Sequence, residues 1–406
     1  MRGVMQGVKV LEVATWTFVP AAGAVLADWG ADVIKIEHAR SGDPQRTISM
    51  GSVGAKGPGG VSFVFEQPNR GKRSIGLDIQ GEEGRALLLE LAAQCDVFLT
   101  NLLPDSLGRL RLTVEDVRAA NPDIIYARGT GQGVRGPEAE RGGFDSTAYW
   151  ARSGMVHMIG DPSAEWPLMQ RPAFGDIVGG FAIAGGIAAA LFQRATTGEP
   201  SVVDVSLLGA AAWQMSPDLV ATGLLGEDKL IRFTADDVPS PLATYYRTSD
   251  GRFLLLMMLQ GGGVWPEFCR AIDRPDLAED PRFATPAGRF EHVSTCIAEL
   301  RTTIGSRTLA DWRERLAPIE GVWAAVQTPA EVLADPQVQA NGYVRPVSTA
   351  DGAHTYSLVA NPVQFDETPP ELVRAPDQWQ HTDEVLAELG IDPARIAELR
   401  AASIVA

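Results

Sequence analysis

The sequence predicts an α/β protein: a doubly wound large domain joined to a small α+β domain. Three observations predict it. Apolar runs of strand length alternate with helical patterns through residues 8–127. The pattern changes near 226, where two strand-like runs follow each other across a turn. Between these regions lies 175–192, apolar throughout except for one acid at its start, Asp176.

Val8 to Val13 reads as the first strand, followed by a helix from Ala21 to Trp29 that Pro20 starts, and a strand over Val33 to Glu37. Strand, helix and strand within about 30 residues make a βαβ unit, hence parallel strands and a right-handed crossover. The alternation continues with strand 74–78, helix 82–93, strand 96–100, helix 114–120 and strand 123–127. Thr113, with Asp116 three residues on, is a capping signal for the fourth of these. The order of elements is Rossmann-like. Residues 137–172, rich in Gly, Pro and charge, read as loops and short helices, 201–206 as a strand and 207–215 as a helix. Beyond 226, 244–248 and 252–258 read as antiparallel strands joined by Ser249-Asp250-Gly251, with helices at 264–272, 288–303 and 308–316. The proline-punctuated C-terminal stretch reads as extended chain ending in a helix over 383–389.

The stretch Gly175 to Phe192 reads as one helix with Asp176 at its mouth. A helix apolar on every side must be buried on every side. Its Gly-Gly pairs, 179–180 and 185–186, let neighbouring backbone approach closely, at a cost of about 1 kcal/mol per Gly relative to Ala. Asp176 has two compatible readings. It is an N-cap accepting the free amides of the first turn, or a carboxylate nucleophile held ionised by those amides.

The chain has 406 residues, 45% of them hydrophobic, enough for two or three domains. Its 35 basic and 51 acidic residues give a net charge of −16. That argues against nucleic acid or an anionic membrane as partner, but leaves room for a phosphate-bearing ligand in a local basic pocket. The segment 177–193 is rich in Gly and Ala and barely long enough to span a membrane, so no membrane span is expected. Cys95, Cys269 and Cys296 are odd in number and far apart, so neither a disulfide framework nor a metal set is expected, and a cytoplasmic location is. His38, His157, His292, His354 and His381 show no paired spacing for a metal.

Gly129-Thr130-Gly131-Gln132-Gly133 suggests a nucleotide loop, but it does not open a helix after the first strand, as a dinucleotide fingerprint must. Arg70, Lys72 and Arg73 place three cations within four residues, a solvated turn or a phosphate site. Arg109 and Arg111 add cations after strand 96–100. A doubly wound sheet brings such loops together at its carboxyl edge. Asp145, in Gly142-Gly143-Phe144-Asp145, is a loop acid bonded to local amides or a partner for Asp176. Two adjacent carboxylates push each other's pKa apart, so that one can act as nucleophile while the other donates a hydrogen bond. Trp16, Phe18, Met257, Met258 and Trp265 read as core rather than pocket.

In order and at matching spacing, these segments resemble the class III coenzyme A transferases. That family contains formyl-CoA and carnitine-CoA transferases and α-methylacyl-CoA racemase. The similarity runs nearly end to end, through 7–12, 26–37, 41–44, 69–78, 96–110, 130–137, Gly175-Asp176 with its helix, 197–199 and 381–386. The resemblance implies a large CoA-binding domain from 1–205 and 351–406, a small domain over 226–330, and linkers at 206–225 and 331–350. It implies an interlocked homodimer without a permanently bound cofactor, coenzyme A arriving as acyl-CoA and leaving on a carboxylic acid. By position, CoA contact falls on Thr17, Phe18, His38, Leu77, Asp78, Gln80, Asn101, Leu102, Leu103 and Arg109, with His38 standing where relatives often carry Arg.

The family nucleophile falls on Asp176, with Asp145 as supporting acid. The resemblance implies a mixed acyl anhydride on Asp176, then an aspartyl-CoA thioester, then transfer to the acceptor acid, with water excluded. The racemase branch pairs the aspartate with a His immediately before Asp145. Phe144 occupies that position and carries no proton, and Leu259 to Gly263 lacks the matching Glu. A transferase is therefore read ahead of a racemase or epimerase, and both ahead of a CoA-binding protein without catalysis. Gln132 and Val134 depart from the family's Thr-Gly-aromatic-Gly motif, and the glycine-rich loop of formyl-CoA transferases is missing before Tyr245. A larger, more apolar acyl group is expected than formyl or oxalyl.

Overall fold

The computed structural model describes residues 3–48, 56–230, 234, 238–259 and 263–406. Two compact units result: Met1–Gly160 with Pro167–Leu230 and Pro336–Ala406, and Asp161–Trp166 with Ile231–Asp335.

The first unit is built on six parallel strands: β1 (Lys9–Val13), β2 (Asp32–Glu37), β3 (Arg73–Gly76), β4 (Val97–Thr100), β5 (Ile125–Thr130) and β6 (Val202–Ser206). They lie in the order 3-2-1-4-5-6. β1 thus pairs on both sides, Leu11 lying beside Ile34 of β2 and Phe98 of β4. The strand order reverses there, and the crevice outside the carboxyl ends at such a reversal is where open parallel sheets bind ligands. Val10, Leu11, Val97, Phe98 and Leu99 are fully buried, because helices cover both faces. On one face lie α1 (Phe18–Asp28) and, later in the chain, the long apolar helix; on the other lie α2 (Glu82–Ala92), α3 (Val114–Ala120) and the helices Thr382–Glu388 and Pro393–Ala401. The capping box of α3 closes: Thr113 N–H donates to Asp116 Oδ2 at 3.0 Å, and Asp116 N–H donates to Thr113 Oγ1 at 3.3 Å.

The long apolar helix, α4 (Phe174–Thr197), has 24 residues and ends at Gly198 in the left-handed conformation. It runs beyond the expected Phe192 because Arg194 does not end it. That side chain reaches Asp96 Oδ1 at 2.6 Å instead. The glycines do bring backbones together. A Cβ on Gly179 would lie 2.5 Å from the Phe18 ring, and one on Gly180 2.7 Å from Ala21 Cβ. Gly185, in contrast, faces open space. Burial on every side does not hold: Ile177, Val178 and Phe192 are exposed, and the covered side is the one against α1 and the sheet. By length and hydropathy α4 does reach the measure of a membrane span, unlike the shorter stretch read from the sequence. Gly23 of α1 sits over a buried carboxylate, where a Cβ would fall 2.0 Å from Glu12 Oε2.

Residues 206–225, expected as a linker, form α5 (Leu207–Gln214) and α6 (Ser216–Leu225), with Leu207 and Ala211 in the core beside α1. Within 331–350, short helices precede a strand, Val344–Ser348, that pairs antiparallel with Thr355–Val359. In the second unit β7 (Ala243–Arg247), β8 (Phe253–Met257) and β9 (Trp323–Ala325) form an antiparallel sheet over a core containing Trp265, Phe268 and Trp312. The helix expected over 288–303 is two, Pro286–Glu291 and Val293–Ile304, because His292 leaves helical geometry between them. Trp265 and Met258 are core as read, while Met257 is exposed. Gln260 to Gly262, where the sequence lacks the racemase Glu, lie outside the described residues.

Candidate active site

α4 starts without the cap expected of it. Ala173 is its N-cap residue, in the left-handed region at φ +63°, and Asp176, the third helical residue, has no hydrogen-bond partner among the described residues. Asp145 lies against that helix start instead. It is buried, accepts the Ser146 N–H at 2.7 Å, and has the amides of Phe174 and Gly175 and the Gln170 side chain acting on its carboxylate. Its Oδ2 closes no full hydrogen bond. A π-helical turn, Asp145–Ala151, delivers this acid, and its Tyr149 ring packs on Gly175, where a Cβ would lie 2.3 Å away. Such turns are rare and frequent at functional sites.

The N-cap reading of Asp176 is therefore corrected, and so is the ionisation it implied. With no amide bonded to it among the described residues, burial pushes the Asp176 carboxyl up to about 7, and the charge of Asp145 adds to the rise. Burial also raises Asp145, against the pull of the amides. A carboxyl near half ionisation at neutral pH is poised for acid–base or nucleophilic work.

Asp176 lines a cleft of about 600 Å³ at the carboxyl ends of β1, β4 and β5. Trp16, Phe18, Leu102, Leu103, Phe144 and Leu207 give it apolar walls. Gly131 and Gly143 bring two loops backbone to backbone, since a Cβ on Gly131 would lie 2.7 Å from Gly143 Cα. Arg141 and Arg152 also line the cleft. Arg152 donates to Gln132 Oε1 at 2.8 Å and to Glu138, and Arg141 pairs with Glu138 at 3.3 Å.

A second cleft, of about 540 Å³, shares Leu102 with the first. Residues following β1, β2 and β3 line it, together with Arg109 and Ser106 of the helix Pro104–Leu110. Arg109 donates to Ser106 Oγ at 2.9 Å and pairs with no carboxylate among the described residues. His38 Nδ1 accepts the N–H groups of Arg40 and Ser41 at 3.2 and 3.3 Å, which leaves Nε2 as the ring's donor.

The first cleft gathers Phe18, Asn101, Leu102, Leu103 and Asp176; the second gathers His38, Leu77, Gln80, Leu102 and Arg109. Thr17, Asp78 and Asp145 line neither. Thr17 Oγ1 accepts from Gln45 at 3.0 Å, and Asp78 Oδ1 accepts the Gln80 N–H at 3.1 Å. Asn101 is committed to the chain itself, clamping Thr15 by its N–H at 3.2 Å and its carbonyl at 2.7 Å. Phe18 is core as read and also borders the cleft, whereas Trp16, read as core, is a cleft wall, and Phe144 joins it. The cation cluster is neither a solvated turn nor a phosphate site. Arg70 pairs with Asp28 at 2.6 Å, Lys72 with Glu12 at 2.7 Å, and Arg73 with Asp32 at 2.5 Å and Glu388 at 2.7 Å. Arg111 is the left-handed cap of the helix before it.

The family model for CoA-transferase family III matches residues 5–382. The (R)-2-hydroxy-4-methylpentanoate CoA-transferase of Clostridioides difficile is 30% identical over 402 residues, 99% of either chain. The cinnamoyl-CoA:phenyllactate CoA-transferase of Clostridium sporogenes is 31% identical, over 97% of this chain and 95% of that relative. The crystal structure of a CaiB/BaiF family protein from Brucella suis is similar with a TM-score of 0.82 at 30% identity, covering 96% of this chain and all of that one.

Proposed function

This chain belongs to CoA-transferase family III and is an enzyme of that kind, and from that premise we propose that it moves coenzyme A from an acyl-CoA to a free carboxylic acid through Asp176. The observation that carries the reading is a half-buried carboxyl, uncapped among the described residues and pushed up to about 7, on an apolar cleft at the strand-order reversal. A carboxylate without hydrogen-bond donors keeps its lone pairs for attack.

One Asp176 oxygen attacks the donor's thioester carbon, and the CoA thiolate leaves, giving a mixed anhydride. The thiolate then attacks the aspartyl carbonyl, releasing the donor acid and leaving an aspartyl-CoA thioester. The acceptor carboxylate attacks that carbonyl and expels the thiolate, which attacks the acceptor's acyl carbon. Acyl-CoA leaves and the Asp176 carboxylate is restored. Each step exchanges one acyl bond for another, so the thioester's energy survives only where water is kept out. The apolar walls of the first cleft suit that need.

CoA is assigned to the second cleft, with His38 Nε2 and Arg109 as donors to its phosphates and Leu77 and Gln80 beside it. The large unit is read as Rossmann-like, and the working form as an interlocked homodimer. The exposed apolar side chains of α4, α5 and α6 support a second copy: Phe192 is 71%, Trp213 82% and Leu224 77% exposed. Phe144, where a racemase needs a base, has no proton to move.

Acyl-CoA with hydroxylamine inactivates such an enzyme by trapping the acyl-enzyme, and peptide mass mapping places the adduct on Asp176. Asp176→Ala lowers transfer by at least about 10³-fold, as loss of a covalent nucleophile does. Full transfer by that variant sinks the proposal. Deuterium entering the α-carbon from heavy water, with no acceptor present, favours the racemase instead.

A further inference from the structure

We propose that Trp16 and Phe144 are the specificity-determining residues of the first cleft and select an acyl group that ends in an aromatic ring. The inference rests on the transferase reading above. The two rings meet edge to face, with centroids 5.8 Å apart and planes at 90°. Both line the cleft of Asp176, and both keep open surface, Trp16 at 36% and Phe144 at 59%. A T-shaped pair presents the negative face of one ring and the positive edge of another, which is the arrangement a third ring extends.

Neither ring is left to chance. Trp16 has φ +68°, a left-handed conformation costly for a bulky residue, which persists only where its surroundings impose it. Its N–H donates to Asp43 Oδ1 at 3.3 Å, and Asp43 is fully buried and paired with Lys35 at 2.8 Å. Phe144 directly precedes Asp145, and its N–H donates to Thr147 Oγ1 at 3.1 Å, within the π-helical turn that sets that acid. A backbone strained at one ring and pinned at the other, beside the reacting carboxyl, is the design of a ligand clamp. An acyl group ending in a second carboxylate needs a free cation here. Arg152 is already held by Gln132 and Glu138, and Arg141 by Glu138.

The test compares kcat/KM for 3-phenylpropionyl-CoA, 3-cyclohexylpropionyl-CoA and succinyl-CoA, with acetate as common acceptor. The phenyl thioester is expected ahead of the cyclohexyl one by about 3- to 10-fold, and ahead of succinyl-CoA by more. Trp16→Leu and Phe144→Leu each remove most of the phenyl-over-cyclohexyl ratio, chiefly through KM. Equal rates for phenyl and cyclohexyl, a preference for succinyl-CoA, or a ratio that survives in both variants overturns the inference while leaving the transferase reading intact. Wild-type protein that transfers from none of the three overturns both.

Discussion

Two clusters of charge lie in the same unit, one buried and one only partly so, and they are built in opposite ways. Under β1, Glu12, Lys35, Asp43 and Lys72 are almost wholly buried, yet every one faces an opposite charge. Lys72 reaches Glu12 at 2.7 Å, and Lys35 reaches Glu12 at 3.2 Å and Asp43 at 2.8 Å. Lys72 Nζ also donates to Pro20 O at 2.8 Å and Asn69 Oδ1 at 3.1 Å. At the mouth of α4, Asp145 and Asp176 are set near each other with no cation paired to either among the described residues. Burial pushes Lys72 down to about 7 against the pull of Glu12. Burial pulls Lys35 down too, but Asp43 and Glu12 outweigh it and lift the ammonium above its usual range. Burial pushes Asp176 up to about 7, and its charged neighbour adds to the rise instead of opposing it. A desolvated charge with a partner is architecture; one without is kept at the expense of stability.

The largest stability effect falls on the paired cluster. Lys72→Met leaves Glu12 with only the longer contact to Lys35, and breaking a buried pair from one side costs about 3–5 kcal/mol. Urea titration reads this as a fall in midpoint, and a loss below about 1 kcal/mol would mean the cluster is hydrated. The acid pair answers with the opposite sign. Asp176→Asn removes a carboxyl that the fold must keep partly charged, so it stabilises, and on the proposed mechanism it abolishes transfer. A folded pKa of about 7 lies above the unfolded value of 3.8, so the wild type loses stability as pH rises between them. The loss is at most about 1.4 kcal/mol per pH unit. The melting-temperature gain of the variant is therefore greatest above pH 7 and vanishes near pH 4. A gain that is flat with pH would show that Asp176 does not titrate in this window. If Asp176 is the nucleophile proposed above, wild-type transfer rises with pH to a plateau above about 7, because only the ionised form attacks.

The smallest effect sharpens the contrast most. Asp145→Asn removes the charge that lifts Asp176, so the midpoint of the pH–rate profile moves to lower pH. An unmoved midpoint would separate the two acids electrically.

What could be read from the sequence followed from short-range pattern. The βαβ alternation, the Thr113 cap and the apolar helix behind Asp176 are each written within a window of twenty or so residues, where periodicity decides. Asp176 itself was legible as the lone acid on that helix. The place of Asp145 against the start of that helix was not, because a π-helical turn and a left-handed Ala173 bring the two stretches together, and neither leaves a mark on composition. The cations at 70–73 misled for a similar reason. Their partners, Asp28, Glu12 and Asp32, come from α1, β1 and β2, so only the tertiary fold reveals them. Trp16 reads as core by residue type and becomes a cleft wall through one backbone angle.

Gly23 limits how this chain can change over generations. A methyl group at that site would strike Glu12 and displace it from Lys72. Positions 12, 23 and 72 are thereby bound into one heritable unit, so that in divergent descendants a side chain at 23 should arrive only after both ions have gone.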